Sequence, residues 1–333
     1  MYNLFLVQTP FQLFNAIEAK NRFHHNEKNI LIIIHKGNKK NYDQMKMILD
    51  YDKEWFDVIE IDFFSRVQKL FYPILIKDII GKLNMYRINN IYVALYRNIA
   101  AHIINSVEHK NTIIYDDGNN IFKTIDFINK RQKKSFTFFR KMISIISRRK
   151  TEVTFLYSCK IFTLFDISSF KALKNEIMQN DFSYFKSKIK NLKKEKNVFF
   201  IGSRMIDNGI SKDVFESSLE KVVAVYREMN KNVLYVPHRY EDLKYLDSLS
   251  EKLKFILTPF SSIIEFEFIM QGIDPSEVAT FRSTAVDTLK IIYNPEVRVF
   301  KMDLDKIEKN KQEEFKLVYR NFENKKYEIE NLV

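Results

Sequence analysis

Short apolar runs punctuate the chain, and between them apolar residues return every three to four positions. The runs are Leu4–Val7, Ile30–Ile34, Val58–Ile61, Ile91–Ala94 and Ile113–Tyr115 in one block. Val198–Ile201, Val233–Val236, Phe255–Leu257, Val278–Phe281 and Val297–Phe300 form a second. Their length and their β-branched and aromatic content predict strands. Helical periods occupy 10–20, 42–50, 97–107, 211–229, 261–271 and 284–292, and a charged helix over 303–316 or beyond closes the chain. Strand–helix alternation in two blocks predicts two α/β domains with parallel sheets. We place them at 1–185 and 186–333, with the lysine-rich stretch 185–197 as linker and the last helix free to return to the first domain. In the first turn, Thr9 can N-cap a helix that Pro10 opens. Ligands of open α/β sheets sit at the carboxyl ends of the strands, so the polar residues there matter most.

A chain of 333 residues with 46% hydrophobic and 14% aromatic content can bury two cores. One cysteine, Cys159, excludes a disulfide framework and a thiolate zinc site, and fits a reducing cytoplasm. The opening MYNLFLVQTPFQLFNAIEA has no basic start and is broken by Gln8, Pro10, Gln12 and Asn15, unlike a signal peptide. No apolar run approaches the roughly 18 residues of a spanning helix. The formal net charge of +12 suits nucleic acid, an anionic membrane surface or acidic small substrates. Much of it lies in 129–150 and 185–197; the first mixes Lys and Arg with Phe136, Phe138, Phe139, Met142 and Ile143. That mixture suits the inner face of a plasma membrane, with a plain solvated basic surface as the equal alternative.

Six glycines form neither a dinucleotide fingerprint nor a phosphate-binding loop of the Walker type. Four of them, Gly118, Gly202, Gly209 and Gly272, fall in or beside loops that could carry chemistry. In IIYDDGNN, a strand ends at Asp116-Asp117; adjacent carboxylates on extended backbone point apart, so one faces a site and could act as a base. In VFFIGSRMIDNG, Gly202 and Ser203 could offer N–H groups to an anion, and Asp207 is a second candidate base. In NVLYVPHRYED, His238 follows a strand and a proline, where an imidazole can bond or protonate a phosphate oxygen. In 260–289, a strand runs into Arg282-Ser283-Thr284 at a helix start, a natural monophosphate site, and Glu265, with Glu267 as rival, could accept two ribose hydroxyls. Each loop also has a plain reading as a turn or a cap.

Taken in order, LVQTPFQLFNAIEA, YDDGNN, FFIGSRMIDNGIS, YVPHRYED, IEFEFIMQG and FRSTAVDTL resemble bacterial glycosyltransferase family 52, the lipooligosaccharide and capsule sialyltransferases, over most of the chain. The resemblance implies a GT-B-like fold, two Rossmann-type domains facing a central cleft, with an acceptor-side first domain and a CMP-binding second. It implies His238 facing the donor phosphate, Ser283 and Thr284 binding it and Glu265 holding the ribose. Gly202 and Ser203 join the donor side through their loop, and Arg239 or Arg282 could pair with the donor carboxylate. Thr9, Gln12 and Asp117 fall on the acceptor side. Asp116 is the preferred base, because its strand end belongs to the acceptor-side domain, and Asp207 is its rival, near which the motif slips by two positions at Met205.

The expected reaction moves sialic acid from CMP-sialic acid to a galactose-type hydroxyl of a cell-surface glycan, with inversion, no cofactor and no required metal. Two Asp-x-Asp triplets, Asp50-Tyr51-Asp52 and Asp303-Leu304-Asp305, sit at the wrong end of a sheet and at a helix start. A UDP-sugar hexosyltransferase on the same scaffold is the first alternative. A non-enzymatic basic protein binding polyanions or lipid is the second, although no nucleic-acid motif is present. A cytoplasmic protein, peripheral on the membrane or homodimeric, fits these expectations.

Overall fold

The computed structural model describes residues 1–35, 37–62, 76–94, 98–118, 120–129, 159–167, 176–190 and 192–332. The basic stretch 130–150 lies outside them. The chain divides into two compact units, Met1–Tyr184 and Phe185–Val333.

In the first unit, strands β1 (Tyr2–Val7), β2 (Lys28–His35), β3 (Asp57–Asp62), β4 (Ile88–Val93), β5 (Asn111–Tyr115), β6 (Lys160–Thr163) and β7 (Ile177–Gln179) form one sheet in the order β3-β2-β1-β4-β5-β6-β7. All its pairings are parallel. Helices α1 (Pro10–Phe23), α2 (Lys39–Tyr51), α3 (Asn98–Ser106) and α4 (Asn120–Asn129) lie between strands, and α5 (Ser183–Ile189) crosses the unit boundary. Residues Ile30 to Ile34 are all buried, as strands covered on both faces require. The start of α1 follows its sequence: Thr9 Oγ1 accepts the Gln12 N–H at 3.2 Å and Pro10 is the first helical residue.

In the second unit, β8 (Lys194–Ile201), β9 (Val233–Val236), β10 (Ile256–Leu257), β11 (Asp274–Thr280), β12 (Glu296–Lys301) and β13 (Glu328–Asn331) form a parallel sheet in the order β10-β9-β8-β11-β12-β13. Its helices are α6 (Lys212–Glu228), α7 (Leu243–Leu253), α8 (Ile264–Met270), α9 (Ala285–Tyr293) and α10 (Lys309–Asn324). Six strands of each sheet thus share the Rossmann order. The order reverses between β1 and β4 in one unit and between β8 and β11 in the other, where such sheets open a crevice for ligands.

All ten expected strands are present, and β6, β7 and β13 are additional. The stretch 185–197 is no linker: Lys186 and Lys188 sit in α5, and Lys194–Asn197 open β8, where Lys194 bonds Asp274 at 2.8 Å. The closing helix begins at Lys309, after a short 3₁₀ turn Leu304–Lys306, and packs within its own unit through Phe315 and its C-cap residue Lys325. Among the described residues, no helix is long and apolar enough to cross a membrane.

Candidate functional site

The carboxyl edge of the second sheet gathers most of the singled-out residues. β8 ends at Ile201, whose carbonyl accepts the Thr280 hydroxyl of β11 at 2.8 Å. Gly202 follows. Its N–H is used inside the sheet, donating to Val236 of β9 at 2.8 Å, so it is not offered to an anion. What Gly202 supplies is space. A Cβ built there would stand 2.3 Å from Glu241 Oε2 and 3.0 Å from the His238 nitrogen. The N–H groups of Arg282 and Ser283 are likewise occupied, both donating to Thr280 Oγ1, at 3.1 and 2.8 Å. The expected cradle of free amides is therefore reduced. Thr284 is the N-cap of α9 without a side-chain bond, and Ser283 Oγ stands 3.4 Å from the Ala285 nitrogen.

Side chains at this edge are less completely satisfied. Among the described residues, Ser203 Oγ, Ser262 Oγ and Arg282 Nη1 are buried atoms with no hydrogen-bond partner. Arg282 bonds Glu314 through its other terminal nitrogen, and its guanidinium lies 4.3 Å from the Phe315 ring centre. A cation and two hydroxyls in this state suit an anionic ligand, since unpaired buried polar groups are costly.

His238 follows β9 and Pro237. Its Nδ1 accepts the Tyr240 N–H at 3.3 Å, which leaves the proton of the neutral ring on Nε2. Two guanidinium groups, of Arg204 and Arg239, lie 5.2 and 4.9 Å from the centre of the Tyr240 ring. Asp207 is exposed and bound to Arg204 Nε at 3.0 Å and Nη2 at 2.9 Å. Glu265 is 5% exposed; burial pushes its carboxyl up to about 7, opposed by its bond with Thr288 of α9. Glu267 instead accepts the Ser262 N–H at 2.6 Å and the Gln271 amide at 3.0 Å, a local structural task.

At the carboxyl edge of the first sheet the two adjacent aspartates part. Asp116 is fully buried. One oxygen accepts the Thr163 hydroxyl at 2.6 Å and the other the Leu164 N–H at 2.7 Å, which ties β5 to the end of β6. Burial, reinforced by the charge of Asp117, raises its carboxyl to about 7 against these two bonds. Asp117 is partly exposed and accepts the Thr9 hydroxyl at 3.2 Å and the Asn120 amide at 3.2 Å. It lines a small open pocket of about 130 Å³, together with Gln8, Thr9, Gln12, His35 and Asn38. Gln12 is 2% exposed; its Oε1 accepts the Gln8 N–H at 2.8 Å, and its amide nitrogen has no partner among the described residues. No Lys or Arg is among the described residues lining this pocket.

Elsewhere, Asp52 is paired with buried Lys20 at 2.6 Å, and Asp303 caps a 3₁₀ turn. Among the described residues, no three His, Cys, Asp or Glu side chains gather as metal ligands would. Sequence reasoning missed Glu241, Ser262, Gln8, His35 and Asn38. The sequence marks a glycine at 202, but that Glu241 fills the space beside it is visible only in the fold.

No protein-family model matches the chain, and no curated protein matches it. Solved structures do. The UDP-N-acetylglucosamine 2-epimerase of Rickettsia bellii matches with a TM-score of 0.51 at 13% identity, over 90% of this chain and 78% of that one. The UDP-GlcNAc 2-epimerase of Methanocaldococcus jannaschii matches at 0.50 and 13%, over 90% and 83%. Arabidopsis thaliana UGT89C1, complexed with UDP-L-rhamnose, matches at 0.50 and 8%, over 99% and 85%. At these identities the likeness is one of fold: the chain has the GT-B-like pair of Rossmann-type domains.

Proposed function

We propose that the protein is a nucleotide-sugar glycosyltransferase, and that it transfers sialic acid from CMP-sialic acid to a hydroxyl of a neutral, galactose-type glycan with inversion. The observation that carries glycosyl transfer is the carboxyl edge of the second sheet. There, at the strand switch, an imidazole with its Nδ1 bonded to the Tyr240 N–H stands at the same edge as buried Ser203, Ser262 and Arg282 atoms without partners among the described residues. Such an edge suits the phosphate of a nucleotide. The choice of CMP rests on the sequence motifs.

His238 Nε2–H bonds the leaving phosphate oxygen and neutralises the charge that develops there. Arg282 supports the same charge, and Glu265 takes the ribose hydroxyls. Asp117 serves as the base, because it lines the pocket whereas both Asp116 oxygens are bound inside the fold. Gln8, Thr9 and Gln12 orient the acceptor hydroxyls. A UDP-sugar as donor is the second reading, favoured by the UDP-sugar named for the solved structures above. Incubation with CMP-sialic acid and lactose, read by mass spectrometry beside parallel UDP-hexose reactions, tests both. A sialylated lactose supports the first; a hexosylated product, or conversion of a UDP-sugar alone, replaces it with the second.

A further inference from the structure

Glu241 belongs to no motif role above, yet its carboxylate lies at the meeting point of two of the loops. Oε2 accepts the His238 backbone N–H at 2.6 Å, and Oε1 accepts the buried Tyr235 hydroxyl at 3.0 Å. The Arg204 N–H donates to the same carboxylate. In return, the Glu241 N–H donates to the His238 carbonyl at 2.9 Å, so residue 238 is gripped at both backbone groups. The Arg204 end of the grip sits in the left-handed region at φ 51°, an uncommon place for a residue with a side chain. The absent Cβ at Gly202 leaves the space the carboxylate occupies, since a methyl would stand 2.3 Å from Oε2. Charge-assisted bonds of this length are the strong ones, and a half-buried acceptor with three donors holds its partners firmly.

We infer that Glu241 is a positioning residue of the nucleotide-sugar site: its carboxylate locks the turn after β9 to the turn after β8, and so aims the His238 imidazole at the leaving phosphate. This rests on the glycosyl-transfer reading for its purpose and on geometry alone for the lock. The glycine at 202 and the glutamate at 241 form one device, because the second needs the space left by the first. Nδ1 of His238 is bound to the Tyr240 N–H within the same turn, so a shift of that turn misdirects Nε2. A misplacement of this kind costs rate on the order of 10- to 100-fold in positioned catalysis.

The test has two arms. With ¹⁵N-histidine labelling, the six histidines give six backbone amide signals, and His238 is the one missing from His238→Ala. The short bond to a carboxylate places its amide proton downfield. Glu241→Ala should move it upfield, Gly202→Ala should do the same by displacing the intact carboxylate, and Glu241→Gln should restore part of the shift. An unmoved signal in folded Glu241→Ala and Gly202→Ala overturns the lock. In the kinetic arm, with whichever nucleotide sugar the protein consumes, Glu241→Ala should lower kcat more than it raises KM. That loss should vanish in a His238→Ala background; losses that simply multiply overturn the role of aiming His238. Should no nucleotide sugar be consumed, the proposed function fails and the spectral arm alone decides the lock.

Discussion

Asp116 and Asp117 share a loop and differ in everything that decides chemistry. Asp117 reaches the pocket, so Asp117→Asn should lower turnover by roughly 10²–10⁴-fold, the usual weight of a general base, with little change in melting temperature. Asp116→Asn has a different expected signature. Asparagine can keep both bonds, its oxygen accepting the Leu164 N–H and its amide donating to Thr163 Oγ1, so the fold should survive. The pH dependence should change. The carboxyl is raised to about 7 in the folded chain, so the folded state binds its proton more tightly than the unfolded one. That contribution is fully present below the unfolded value near 4 and is lost as pH rises to 7, by at most about 1.4 kcal/mol per pH unit. Asp116→Asn should therefore flatten the fall in stability between pH 5 and pH 7, leaving the part due to Glu265, also raised to about 7. Thermal melts across that range check it; an unchanged slope would mean that Asp116 is ionised throughout. The sequence shows that such a pair must divide, but not which member turns inward, because the partner that captures Asp116 is the short strand β6.

Elements built on uninterrupted apolar runs or helical apolar periods are legible; those stabilised by polar partners are not. Residues Ile30 to Ile34 can be nothing but an interior strand, whereas β13, Glu328–Asn331, is a charged edge whose pairing with β12 is set by position alone. Helix α1 misleads in the other direction. Gln12, Asn15, Glu18 and Lys20 look like a wet face, yet all four are buried, with partners at Gln8, Asn180, Tyr184 and Asp52. The same principle runs across the sheet. Asn29, Asn3, Asn90 and Asn111 stand in register on β2, β1, β4 and β5, linked amide to carbonyl at 3.1, 2.8 and 2.9 Å. Asn3→Leu would leave Asn29 Oδ1 and the Asn90 amide without this partner, at about 1–3 kcal/mol each. Since Trp55, the one tryptophan, packs on Phe5 in the same unit, its fluorescence during urea unfolding should report a loss of about 2–6 kcal/mol in all. A change under 0.5 kcal/mol, the scale of a surface substitution, would show the ladder to be dispensable.

On the scale of the whole molecule, the chain uses one strand order twice, and the fold alone does not say which sheet receives the nucleotide. The residues at the two switch points favour the second sheet. After β1 stand Gln8, Thr9 and Pro10, and the nearby pocket has a carboxylate, amides and His35, itself bonded to Glu60, on its described walls but no Lys or Arg. A phosphate there would meet Asp117 without compensation. After β8 stand Gly202, Ser203 and Arg204, with His238 behind β9 and Arg282 behind β11; Arg204 pairs with Asp207 and Arg282 with Glu314, so what this edge offers a phosphate is the His238 ring and the buried Ser203, Ser262 and Arg282 Nη1 atoms that have no partner among the described residues. Nucleotide should therefore stabilise the protein through the second unit. At 100 times its dissociation constant, a ligand adds about 2.7 kcal/mol, which for chains of this size is a shift of several degrees. CMP should produce that shift in the intact protein, and His238→Ala and Gly202→Ala should each reduce it, the first by removing a donor and the second by displacing the turn. Asp117→Asn should leave it in place. A shift lost in Asp117→Asn and kept in the other two would move the nucleotide to the first sheet. A larger shift with UDP than with CMP, sensitive to the same two substitutions, would keep the sheet and change the donor.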